Sequence, residues 1–143
     1  MKPMIRMSHI TFIVLLLCSH GTATADVHTY TCEVIHVYNL ADTGSLEKIT
    51  ALEKSMKDSS FSVSRETGAI TGKFLTLDTS LAESTRVINK GSKENSFEAV
   101  AEFGDFENGT HPYQFLKVEE FLNGAVKPFV VMGEVGIVTG VCK

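Results

Sequence analysis

The chain has 143 residues, 13 Lys and Arg against 17 Asp and Glu, a formal charge of −4 and three cysteines. An acidic balance with no dense cluster of Lys and Arg disfavours nucleic-acid binding, which needs a basic stripe to neutralise phosphates. The one long apolar run, Ile10 to Cys18, falls short of the about 20 residues that span a bilayer.

That run follows Lys2 and Arg6 and leads to Ala23-Thr24-Ala25. A positive start, a short apolar middle and an A-x-A end predict a secretory signal peptide over residues 1–25. Cys18 follows Leu17, not the small residue that lipidation needs, so it belongs to the discarded segment. Removing 25 residues from 143 leaves 118, residues 26–143, enough for one secreted β-rich domain with a sizeable core. Taking out Lys2 and Arg6 leaves 11 basic and 17 acidic residues, a formal charge of −6. The expected location is the periplasm or the extracellular space.

Cleavage leaves two cysteines, Cys32 and Cys142. In an oxidising compartment two thiols in one chain pair with each other. The expected disulfide links the first strand to the last.

"HTYTCEVIHVYNL" alternates. Tyr30, Cys32, Val34, His36, Tyr38 and Leu40 fall on one face, and Thr29, Thr31, Glu33, Ile35 and Val37 on the other, as in a long strand. Leu46, Ile49, Leu52 and Met56 then recur at helical spacing, with Ser45 placed to cap. They predict an amphipathic helix over 45–57. "SFSVSRETGAITGKFLTL" reads as a hairpin turning at Glu66-Thr67-Gly68. After a loop, "RVINKGSKENSFEAVAEFG" reads as a second hairpin around Gly91, with Phe97, Ala99, Ala101 and Phe103 on one face. Asn108-Gly109 and Asn123-Gly124 bracket a further strand-like run, and Asn-Gly is a strong hairpin signal. The valine-rich end, "AVKPFVVMGEVGIVTGVCK", is apolar on both faces. It suits a bend or a break into two strands at its glycines, with a cavity or a covering helix on the second face. The sum is an all-β fold with one helix. It is a small antiparallel meander of about seven or eight strands, barrel-like or a curved sandwich.

Few residues point to chemistry. A mature terminus Asp26-Val27-His28 has the donors to wrap a square-planar Cu(II) or Ni(II), an amine, two amides and an imidazole. His36 and Tyr38 on strand one, Arg65 beside the first turn and His111 in a loop are candidate ligand or partner contacts. For His36 a hydrogen-bonded core position is the simpler expectation. Lys73, Arg86, Lys90 and Lys93 add charge around the hairpins, where solvation is the simpler account. Glu98, Glu102, Glu119 and Glu120 are the strand carboxylates from which an acid–base pair would have to come. Neighbours such as Glu119 and Glu120 point to opposite faces of a strand. No nucleophile elbow, phosphate loop or zinc spacing occurs. Asn108-Gly109-Thr110 fits a glycosylation acceptor as well as a turn.

The leading expectation is a non-enzymatic secreted binding module without a cofactor. A carrier of a small apolar ligand ranks slightly ahead of a protein-binding module or inhibitor of an extracellular enzyme. A secreted hydrolase ranks last. The partner is an unknown small ligand or extracellular protein.

Overall fold

A computed structural model describes residues 28–57, 59–73, 77–104, 112–134 and 136–143. The expectations for the signal segment, for Asp26, Val27 and His111, and for the Asn108 acceptor lie outside these residues.

Among the described residues nine strands form one curled antiparallel sheet: β1 Thr29–Leu40, β2 Leu46–Lys48, β3 Ser60–Ser64, β4 Ile70–Gly72, β5 Ala82–Lys90, β6 Phe97–Phe103, β7 Tyr113–Val118, β8 Lys127–Gly133 and β9 Gly136–Cys142. The spatial order is β4-β3-β1-β9-β8-β7-β6-β5, with β2 also on β1. One helix, α1, spans Thr50–Met56. The fold class follows the alternation in the sequence, and the half-barrel curl follows from the right-handed twist that strands impose on large sheets.

Cys32 and Cys142 are direct cross-strand neighbours of β1 and β9 and are bonded. First and last strands therefore lie side by side, but the sheet does not close between them. The other edge of β1 is occupied by β3 and β2, which moves the seam to β4 and β5. There the closure is a contact without strand pairing. Gly68, at φ 78° in the β3–β4 turn, lies against β6 and β5; a Cβ there would sit 2.6 Å from Ala99 Cβ and 3.5 Å from the Arg86 carbonyl oxygen. The free edge of β5 carries two register shifts, and Glu83 and Lys90 stand along it, features that blunt edge-to-edge pairing.

Two features differ from the sequence reading. The helix is shorter than 45–57, because Leu46–Lys48 pair with Tyr38–Leu40 through the turn at 41–45. Its N-cap is Ile49, with no side-chain cap, so Ser45 has no capping role. The second difference is in β1. The register shifts between Val34 and His36, leaving Ile35 as the extra residue of a bulge. Beyond it the faces exchange. Val37 turns into the core, and His36, Tyr38 and Leu40 turn outward. His36 is thus not a core histidine.

The concave side is filled by the chain's own side chains. Tyr30, Cys32 and Val34 of β1 meet Phe61 and Val63 of β3, Phe97 and Ala99 of β6, Leu116 of β7, Phe129 and Val131 of β8 and Val138 of β9 in one cluster. Phe61 and Phe129 cross the interior edge to face, with ring centroids 5.2 Å apart. Met56 of α1 is buried in the same core. The segment before β5 is tied in by Gln114 Nε2, which donates to the Leu77 carbonyl at 3.0 Å.

Candidate functional site

The strand directions bring the start of β1, the disulfide and three hairpin connections to one end of the barrel. These connections are the β3–β4 turn, the β5–β6 turn and the β7–β8 loop. We refer to this end as the platform. Its organiser is Glu120, the second residue after β7. Arg65, from the β3–β4 turn, donates Nη2–H to Glu120 Oε1 at 2.6 Å. Tyr30, on β1, donates its hydroxyl to Oε2 at 2.9 Å. The Arg65 guanidinium also stands 4.9 Å over the Tyr30 ring, a cation–π arrangement. Tyr30 in turn packs edge-on to Phe97 with centroids 5.4 Å apart. Gly91, at φ 72° in the β5–β6 turn, lies against the Glu120 carboxylate where a side chain would not fit. One carboxylate thus joins all three connections.

Glu119 makes its own set, to Lys117 Nζ at 2.9 Å and from the Ser96 hydroxyl at 2.8 Å. The Lys117 ammonium first and the Ser96 hydroxyl second hold its carboxyl below the usual range. Burial, and then the hydrogen bond to Glu120, push the Tyr30 hydroxyl well above its usual value. Both carboxylates are therefore engaged by structural partners. Glu98 and Glu102 face outward on β6, the first opposite Lys117, the second accepting from Tyr113 at 3.2 Å.

The loop that Glu119 and Glu120 anchor displays apolar side chains. Phe121, Leu122 and Val126 are 40%, 41% and 40% exposed. The loop is braced by Leu122 N–H donating to the Glu119 carbonyl, by Glu119 N–H donating to the Pro128 carbonyl and by Lys127 Nζ donating to the Leu122 carbonyl. Sequence reasoning did not single out these three residues. The signal it held was Asn123-Gly124, a turn whose preceding residues, Phe121-Leu122, are apolar where loops are usually polar.

The residues singled out in the sequence do not converge. Arg65 belongs to the platform, but as part of its bracing. His28 lies beside it, its carbonyl accepting from the Arg65 N–H at 2.8 Å. His36 and Tyr38 lie towards the opposite end, where His36 Nδ1 is 3.2 Å from Lys48 Nζ and 3.4 Å from Glu53 Oε2. Nδ1 accepts from Lys48 or donates to Glu53 according to the tautomer of the ring. Among the described residues no group of three or more His, Cys, Asp or Glu is placed to hold a metal ion, and no helix is long and apolar enough to cross a membrane. No protein-family model matches this chain, and comparison with curated proteins and with solved structures finds no match.

Proposed function

We propose that the protein is an exported, non-enzymatic protein-binding module that engages its partner through the platform. The observation that carries this reading is the β7–β8 loop, which presents Phe121, Leu122 and Val126 from a backbone anchored through Glu120. Loops held in one conformation lose little entropy on binding, and aromatic side chains are enriched at the centres of interfaces. An exposed apolar loop can fill a concave cleft, so occlusion of an extracellular enzyme is the form of binding it fits best. The filled interior favours this reading over small-ligand carriage, since a cargo would have to displace the Phe61–Phe129 contact. Export rests on the signal-like start and on a disulfide of the kind that persists in oxidising compartments.

The test is site-specific photocrosslinking in the source cells. A photoreactive phenylalanine analogue at Phe121 is expected to give a discrete protein adduct. The same analogue at Leu46, at the far end, is expected to give none. Equal labelling from both positions, or a small molecule released from the native protein on denaturation, would overturn the proposal.

A further inference from the structure

Asn123-Gly124 sits inside the apolar loop of the platform, and a turn accounts for the glycine but not for the asparagine. Gly124 adopts φ 152°, a backbone that favours glycine. The Asn123 side chain is exposed. Among the described residues neither that side chain nor the Gly124 N–H has a hydrogen-bond partner. The braces of the loop stop short of this pair. They hold the Glu119 and Leu122 amides and the Leu122 carbonyl, while residues 123–126 make no backbone hydrogen bond. The other described asparagines are each held. Asn89 Oδ1 accepts from the Gly91 N–H at 3.2 Å. Asn95 donates to the Ser92 hydroxyl from its backbone N–H at 3.1 Å and from Nδ2 at 3.5 Å. Asn39 lies in the β1–β2 ladder opposite Glu47. Each of these is followed by a residue with a side chain, Lys90, Ser96 and Leu40. Among the described asparagines, only Asn123 joins a free amide to a following glycine.

That combination has a chemistry of its own. The backbone nitrogen after an asparagine can attack the side-chain carbonyl carbon, closing a succinimide ring and expelling the side-chain nitrogen as ammonia. A β-carbon on the attacking residue hinders the approach, and a hydrogen-bonded N–H or side-chain amide resists it. Glycine lacks the β-carbon, and this pair lacks the hydrogen bonds. Water then opens the ring. Attack at one carbonyl leaves aspartate; attack at the other leaves isoaspartate, in which the main chain runs through the β-carbon. The sum is an amide and water giving a carboxylic acid and ammonia, so water is the only co-reactant. We infer that Asn123 is a self-modifying site, which deamidates through Gly124 and thereby ends the docking of the loop. The second half rests on the platform reading. The new carboxylate stands beside Leu122 and two positions from Phe121, within the apolar group that binding desolvates. Isoaspartate also lengthens the backbone between Leu122 and Val126 by one carbon and so alters the spacing of the docking side chains. The Lys127 ammonium, which donates to the Leu122 carbonyl, gains a competing charged acceptor one residue away. The exported chain thus loses its partner with age.

Peptide mapping by mass spectrometry tests the modification, on the folded, oxidised protein when fresh and after storage in mildly alkaline buffer, which speeds attack by the backbone nitrogen. The expected result is a gain of one mass unit at Asn123, largely as isoaspartate, with Asn39, Asn89 and Asn95 unchanged. Asn123→Gln should lose the conversion over the same interval, because the longer side chain closes a larger ring more slowly. A wild-type protein that keeps the Asn123 amide, or converts it no faster than those three, overturns the inference. The docking half is read with the photoreactive analogue at Phe121, in wild-type, Asn123→Gln and Asn123→Asp backgrounds in the source cells. The protein adduct should form in the first two and be about tenfold weaker in the third, as when a polar group is desolvated without a partner. An undiminished adduct from Asn123→Asp overturns the loss of docking. Absence of an adduct from all three backgrounds is the failure of the platform reading and removes the docking half with it, whereas the mass map decides the modification on its own.

Discussion

The two ends of the barrel carry the same kinds of residue and hold them in different ways. At the platform, Glu120 is joined to Arg65 and Tyr30 across 55 and 90 positions of sequence. At the far end, His36, Lys48 and Glu53 meet within 17 positions, with the His36–Lys48 contact exposed and the imidazole side chain 37% exposed. The first arrangement fixes loops to one another because its partners come from separate strands and are largely shielded from water. The second decorates a hairpin and a short helix that would stand close together without it. Charged contacts are worth more where they are shielded and where removing one partner strands the other.

This contrast can be broken by unfolding measurements. The largest effect is expected from the disulfide, which closes a loop of 110 positions beside the platform. Reducing it, or replacing both cysteines with serine, should cost about 5 kcal/mol on the chain-entropy model, read as a lower urea midpoint. Glu120→Gln comes next. It leaves the Arg65 guanidinium without its counter-charge in a partly shielded site, and should cost about 2 kcal/mol, less than a fully buried pair. Gly68→Ala forces a Cβ into a left-handed backbone position against Ala99 and should cost about 1–3 kcal/mol by overpacking the seam. At the far end, His36→Ala should change stability by no more than about 0.5 kcal/mol, as exposed pairs do. A His36 variant as costly as Glu120→Gln would erase the distinction between the ends.

Alkaline pH sharpens it from another side. The Tyr30 hydroxyl titrates higher in the folded chain than in the unfolded one. The native state therefore binds more protons than the unfolded state above the ordinary tyrosine value of about 10, and stability falls as pH rises from there. Tyr30→Phe should flatten that decline in a series of urea titrations.

Much of the fold was legible from alternation. The hairpins around Gly68 and Gly91 needed only neighbouring residues and turn chemistry, and the Cys32–Cys142 bond followed from parity once the first cysteine was set aside. The β2 strand was not legible, because Leu46, Ile49 and Leu52 satisfy a helical period as well as they satisfy a short strand followed by a helix. Nor was the bulge at Ile35, since apolar residues on both sides of it fit either register. That missed bulge put His36 in the core. The platform was hidden for a different reason. Tyr30, Arg65 and Glu120 lie in three separate segments, and no spacing rule joins residues that far apart. Glu120 was visible only as half of an adjacent carboxylate pair. Its role depends on what folds around it.

The measurement that most directly tests the braced platform is amide hydrogen exchange on the β7–β8 loop, wild type against Glu120→Gln. The account predicts slow exchange at the Glu119 and Leu122 amides in the wild type. It predicts faster exchange at both in the variant, with the Ile49 and Glu53 amides of the far end unchanged. Fast exchange of Leu122 in the wild-type protein, or equal loosening of both ends in the variant, would contradict it.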